Sequence, residues 1–171
     1  MEAYRMLHPE LTVLLTTVDK NGKGNVCAVA WNMPVSEEPF CVAFALDEEH
    51  LSTRNLMETD EFILNIPGKD MLEDVWFCGT RSGRKVDKLR RFEVEDGKKV
   101  KVPRIKGCAG YLEGRVIKRI EVGECVLFVG EIVHYEVDKK LFGEYWKEGS
   151  VLLHLGGKYF TLPGKPLTPG G

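Results

Sequence analysis

The chain has 171 residues, with 24 Lys plus Arg against 26 Asp plus Glu and a net charge of -2. That balance leaves no broad basic face, so nucleic-acid binding is not expected and any cationic site must be local. A chain near ~150 residues buries about 70% of its unfolded surface, so residues 1–171 are expected to form one domain around a core of their own.

The five cysteines, Cys27, Cys41, Cys78, Cys108 and Cys125, are odd in number and include no Cys-x-x-Cys pair. The four histidines, His8, His50, His134 and His154, lack metal-ligand spacing. A disulfide framework or zinc site is therefore not expected, and reduced thiols in a cytoplasm are. The N-terminal MEAYRML has no apolar run, which argues against a signal peptide or membrane anchor.

Along the chain, the apolar and β-branched run from Leu11 to Val18, the turn chemistry of DKNGKGN and the apolar VCAVAW predict a hairpin. Pro34 and Pro39 bar MPVSEEP from a central strand, whereas FCVAFAL reads as a strand buried on both faces. STRNLMETD predicts a short helix with Ser52 or Thr53 as N-cap, and EFILNIP another strand. Short helices are expected over Met71 to Phe77 and over Val86 to Phe92, where Val86, Leu89 and Phe92 recur at helical spacing.

Glu93 to Lys106 is polar and carries Pro103, as a connection with one edge strand would. AGYLEGRVIKRIEV and CVLFVGEIVHYEV, joined at Gly123 and Glu124, read as long strands; near the end of the second, Val133, Tyr135 and Val137 alternate with His134, Glu136 and Asp138. After the excursion LFGEYWKEGS, VLLHLGGKYFTL closes as two short strands around a glycine turn, and residues 163–171 form a Pro/Gly-rich tail. The sum is a mainly β, antiparallel barrel with short inserted helices rather than a doubly wound sheet.

Between the two predicted helices lies CGTRSGRKVDK, with Gly79 and Gly83 to point backbone N–H groups at an anion. Ser82 adds a donor, and Arg81, Arg84, Lys85 and Lys88 add charge, so phosphate is the natural guest. The spacing is neither a P-loop nor a Rossmann turn, and such composition alone more often marks a solvated basic loop. In NVCAVAWNMPVS, small residues and Trp31 offer a wall for a flat ring, although an isolated Trp is more often core. Ser52, Thr53, Arg54 and Asn55 offer polar contacts at a helix start, which alone would be only a capped helix.

Taken in order, HPELTVLLTTVDKNGKGNVCAVAWNMPVS, STRNLMETDEFILNIP, CGTRSGRKVDKL, GECVLFVGEIV and LGGKYF resemble the flavin reductase-like, FMN-binding split-barrel family, flavoredoxin branch. The resemblance implies a six-stranded Greek-key split barrel, a homodimer, and one FMN per subunit near the subunit interface. It implies that Asn25 and Trp31, with neighbouring Ala30 and Asn32, meet the isoalloxazine, and that Ser52, Thr53 and Asn55 hold ribityl or phosphate oxygens. Gly79, Ser82, Gly83 and Lys88 belong to the anion loop, with Lys88 near the phosphate or the pyrimidine edge, and Phe160 comes from the terminal strand.

Hydride transfer from NADH or NADPH to flavin needs no protein acid or base, so no catalytic side chain is assigned. Family members that use nicotinamides often carry Gly-Asp-His where this chain has Gly123-Glu124-Cys125. An electron-transfer role with a protein redox partner therefore stands beside direct nicotinamide oxidation. Cys78 reads either as a redox thiol or, more commonly for such a residue, as an inert buried one. The alternative from a different class is a non-catalytic β-barrel binding module without flavin, which leaves the three polar segments unexplained.

Overall fold

A computed structural model describes residues 2–170. Strands β1 (Glu10–Leu11), β2 (Val13–Val18) and β3 (Gly24–Val29) come first. The expected hairpin joins β2 to β3, its turn held by Asp19 Oδ1, which accepts from the Asn21 and Lys23 amides at 2.9 Å. Strands β4 (Asn32–Glu37) and β5 (Phe40–Asp47) follow, then helix α1 (Leu51–Thr59), strand β6 (Glu61–Ile66) and helix α2 (Leu72–Thr80). The short pair β7 (Val94–Asp96) and β8 (Pro103–Ile105) precedes the long strands β9 (Gly110–Val122) and β10 (Cys125–Val137), and β11 (Leu153–Gly156) and β12 (Tyr159–Thr161) close the chain.

The main sheet is antiparallel, ordered β3-β2-β6-β9-β10-β5-β4. It curls so that the exit of β3 meets β5, where the Ala45 amide donates to Trp31 O at 3.0 Å. The mainly β expectation holds. The seventh strand is β4, which contains Pro34 and lies at the sheet edge, where a missing N–H leaves no ladder bond unmade.

The interior is apolar. Phe44, Phe62 and Phe128 are fully buried, with Phe44 5.0 Å from Phe62 and 5.7 Å from Phe128 between ring centroids. The Phe62 ring abuts Gly114 and Gly130, where a Cβ on either glycine would overlap it. These rings place β6, β9, β10 and β5 around one core cluster, while the outer faces of β2 and β3 pack under α2 through Leu14, Val26, Val75 and Cys78.

Four local expectations are corrected. Only a 3-10 turn, Lys88–Arg91, forms where a helix over Val86 to Phe92 was expected: Leu89 and Phe92 pack on the second cluster while Val86 stays exposed. The N-cap of α1 is His50, without a side-chain cap bond; Ser52 and Thr53 lie inside the helix, and Thr53 Oγ1 donates to Asp47 O at 2.6 Å. The connection from Glu93 to Lys106 holds a two-stranded hairpin, β7 with β8, rather than one edge strand. Tyr135 is 67% exposed, because a register shift between Ile132 and His134 breaks the alternation along β10.

Candidate functional site

A trough runs along β3 between α1, α2 and the loop of residues 82–87. Its first hollow, about 400 Å³, is lined by Lys23, Asn25, Arg54, Asn55, Gly83, Arg84 and Lys85, among others. The second, about 230 Å³, shares Asn25, Leu51 and Gly83 with the first and adds Cys27, Ser52, Cys78, Gly79, Ser82 and Lys88. The third, about 200 Å³, shares Ala28, Gly79 and Thr80 with the second and ends at His154 and Phe160.

The chain is drawn together here by bonds the hairpin and the loop make at long range. Asn25 Nδ2 donates to Ser52 Oγ at 2.9 Å, joining β3 to α1. Arg84 donates to Glu49 O at 3.3 and 3.1 Å, holding the loop against the start of α1. Gly83 sits so close to Asn25 that a Cβ would overlap Asn25 Oδ1, and Gly79 brings α2 to within ordinary contact of Ala28. No acidic residue occupies the first turn of α1, and by helix geometry the amides there have no intrahelical partner.

Two buried groups make the trough chemically unusual. Asn55 is 1% exposed; its Nδ2 donates to Thr17 Oγ1 at 3.1 Å, but its Oδ1 has no hydrogen-bond partner within the protein. Lys88 is 4% exposed, and its Nζ donates to Cys78 O at 2.9 Å. Burial pushes the Lys88 ammonium below its ordinary value, with only the nearby Cys27 and Cys78 thiols acting in the other direction. An ammonium carries three donors, and an unmatched buried cation is costly, so an anion or a set of carbonyl acceptors is the partner this position suits.

Burial pushes the Cys78 thiol up to about 12, and it raises Cys27 too, against a hydrogen bond from Ser52. Both remain protonated at neutral pH, so the reading of Cys78 as a redox thiol loses to the inert one.

Of the expected site residues, Asn25, Ser52, Asn55, Gly79, Ser82, Gly83 and Lys88 line the first two hollows, and Ala30 and Phe160 line the third. Thr53 is buried behind them. Trp31 and Asn32 stand apart. Trp31 is 42% exposed and packs edge-on against Tyr4 at 5.4 Å, while Asn32 Nδ2 ties β4 to Leu11 O at 2.8 Å. The trough also recruits Lys23, Leu51, Thr12 and His154, which the chain order separates from the loop. Only the cationic character of Lys23 in its turn hinted at the first of these.

A family model for the flavin reductase like domain matches residues 5–163. The chain belongs to that family. An uncharacterized protein of Archaeoglobus fulgidus is 37% identical over 145 residues, covering 84% of this chain and 78% of its own length. Among solved structures, the flavoredoxin of Methanosarcina acetivorans is 28% identical with a TM-score of 0.85, covering 94% of this chain and 88% of its own. The FMN-binding protein of Thermus thermophilus is 21% identical with a TM-score of 0.91, covering 99% and 95%, and shows the shared fold. The architecture is thus the split barrel of the flavin reductase-like proteins. Among the described residues, no helix of this family member is long and apolar enough to cross a membrane.

Proposed function

We propose that the trough binds FMN and that the protein transfers electrons through it, as a flavin reductase-like or flavoredoxin-like oxidoreductase. The observation that carries this reading is the pairing of a buried, unmatched Lys88 with a cationic hollow one wall away. One end of the ligand must be an exposed anion, and its middle must offer acceptors to a buried cation.

The residues fit those demands. Arg84, Lys85, Arg54 and Lys23 outnumber Asp19 and Asp87 around the first hollow and suit a phosphate. Asn55 Oδ1, an acceptor without a partner, suits a hydroxyl of the ribityl chain. Lys88 supplies positive charge toward the ring, where it would favour the reduced, anionic state over the oxidised one. The close approach of Gly79 and Gly83 to β3 leaves the trough shallow enough for a flat group. When bound, FMN supplies hydride and single-electron reactivity; the chain binds it, orients it and limits water around it.

A protein partner is the better-suited electron donor. Cys125 stands opposite Asp47 in the sheet, and Glu124, Asp47 and Glu48 raise its thiol further after burial itself. Those carboxylates repel the phosphates of a dinucleotide, so NADH or NADPH would reduce the site slowly.

The protein would work as a homodimer. An apolar groove of about 850 Å³, lined by Met33, Phe40, Tyr135, Phe142 and Trp146 among others, opens beside the edge strand β4 and suits a second copy. Sedimentation showing a monomer at micromolar concentration would remove that assignment.

The absorbance spectrum of the purified protein after incubation with FMN and gel filtration tests the central reading. Retained flavin, bleached by dithionite under anaerobic conditions, is the expected result. Colourless protein that takes up no FMN would overturn it in favour of a flavin-free binding module.

A further inference from the structure

The tail after β12 carries Pro163, Pro166 and Pro169 at every third position, with Lys165 and Leu167 between them. A polyproline chain has three residues per turn, so in that form the three prolines fall along one edge. The tail has no regular structure and lies open to water: Leu167 is 96% exposed, more than any other large apolar side chain among the described residues. Lys165 is its only charged side chain.

One hydrogen bond fixes where the tail begins. Pro163 O accepts from the Gly149 amide at 2.9 Å, three residues beyond Trp146 in the excursion between β10 and β11. Trp146 and Phe142, edge to face with centroids 4.8 Å apart, form one wall of the apolar groove beside β4. The tail thus leaves the barrel from the segment that builds the groove, while no tail residue lines the groove of its own subunit.

The groove has the chemistry that such a chain needs. Buried Val13, Val42 and Leu64 make its floor, Phe40 and Tyr135 add aromatic walls, and Glu37 and Glu38 stand exposed along it. Neither carboxylate has an ion-pair partner among the described residues, and neither has Lys165. Aromatic grooves take proline-rich chains because those chains are already extended and lose little entropy on binding. At about 3.1 Å per residue, residues 163–170 reach about 25 Å from their anchor in that form. In a two-fold pair each contact occurs twice, so a tail laid in the partner's groove is matched by the reverse contact.

We propose that the occupant of the groove beside β4 is the tail of a second copy of this chain, exchanged reciprocally, with Leu167 and the prolines against the aromatic walls and Lys165 beside Glu37 and Glu38. This deepens the homodimer reading above and rests on it.

Cysteine cross-linking tests the exchange. Met33 lines the groove and is 55% exposed, so Met33→Cys and Leu167→Cys each change a side chain that carries no part of the core. The two full-length variants, mixed and oxidised, should give a covalent dimer that dithiothreitol cleaves, with a disulfide-linked peptide joining residues 33 and 167 in the mass spectrum. Leu167→Asp should raise the dimer dissociation constant in sedimentation by about tenfold or more. Lys165→Glu should weaken the dimer up to about fivefold, and Glu37→Lys with Glu38→Lys in the same chain should recover that loss. A 33–167 disulfide found only within single chains of the doubly substituted protein would overturn the proposal by giving the groove to its own tail. A wild type that sediments as a dimer, yields no 33–167 peptide and is unmoved by Leu167→Asp would overturn it while leaving the homodimer standing. A wild-type monomer at micromolar concentration would overturn both.

Discussion

Lys88 and Cys78 are joined by a bond from the ammonium to a main-chain carbonyl, at 2.9 Å, ten residues back along the chain. This single contact turns a charged side chain inward, beside two thiols, rather than out to water with its neighbours Arg90 and Arg91. Burial therefore works against its charge in the free protein, and a bound acceptor or anion would relieve that cost.

Burial lowers the Lys88 pKa from 10.5 in the free protein, and an electron-rich ligand favours the charged form, so ligand binding raises it again. FMN affinity should be full at neutral pH and fall as pH rises through the lowered value toward 10.5. Lys88→Met should weaken FMN by about ten- to a hundredfold, corresponding to a lost charge-assisted bond of ~1.5–3 kcal/mol, and flatten that alkaline fall. Fluorescence titration between neutral and alkaline pH measures both; an unchanged profile in the variant would detach Lys88 from the ligand.

Gly83→Ala tests the loop against β3. The added methyl overlaps Asn25 Oδ1, so the loop must lift. FMN affinity should drop by roughly one order of magnitude while thermal stability hardly moves, since the loop is mostly exposed. A stable variant with wild-type affinity would show that the loop's seat on β3 is irrelevant to binding.

Riboflavin separates the two ends of the trough. Lys85→Ala, which breaks no side-chain bond within the protein, removes charge only from the first hollow. FMN should weaken by about tenfold or more and riboflavin hardly at all, because riboflavin lacks the phosphate. Equal losses for the two ligands would place the phosphate elsewhere.

Glu113 is a stability test outside the site. Its fully buried carboxylate accepts from the Lys98 amide at 2.8 Å and the Lys99 amide at 2.7 Å, tying the β7–β8 turn to β9. Glu113→Gln faces one of those donors with an NH₂ group and should cost about 2–3 kcal/mol, read from the urea midpoint. FMN affinity should stay within twofold.

Cys125→His tests the electron donor. Stopped-flow mixing with NADH or NADPH should reduce wild-type-bound FMN slowly and the variant roughly five- to 150-fold faster in kcat/KM, the worth of one polar contact of ~1–3 kcal/mol. Rapid wild-type turnover by either nucleotide would return the protein to a plain nicotinamide-dependent reductase.

Elements with local signals were legible from the order of residues. Period-two and continuous apolar runs marked β2, β3, β5 and β6, the Asp19–Lys23 turn carried its own side-chain bonds, and the prolines kept β4 at an edge. The family-like order of polar segments also pointed to Asn25, Ser52, Asn55, Gly83 and Lys88, which the fold gathers along one trough. Tertiary structure alone decided what those groups meet. Barrel closure turned Trp31 toward Tyr4 and Asn32 toward Leu11, a bulge broke the alternation of β10, and packing of Leu89 and Phe92 replaced a helix by a single turn. The burial of Lys88, the unpartnered Asn55 Oδ1 and the meeting of Thr12 with His154 have the same origin. Each depends on how separate elements pack, α2 over Lys88, α1 on β2 for Asn55 and β1 beside β11 for Thr12, which local periodicity does not encode.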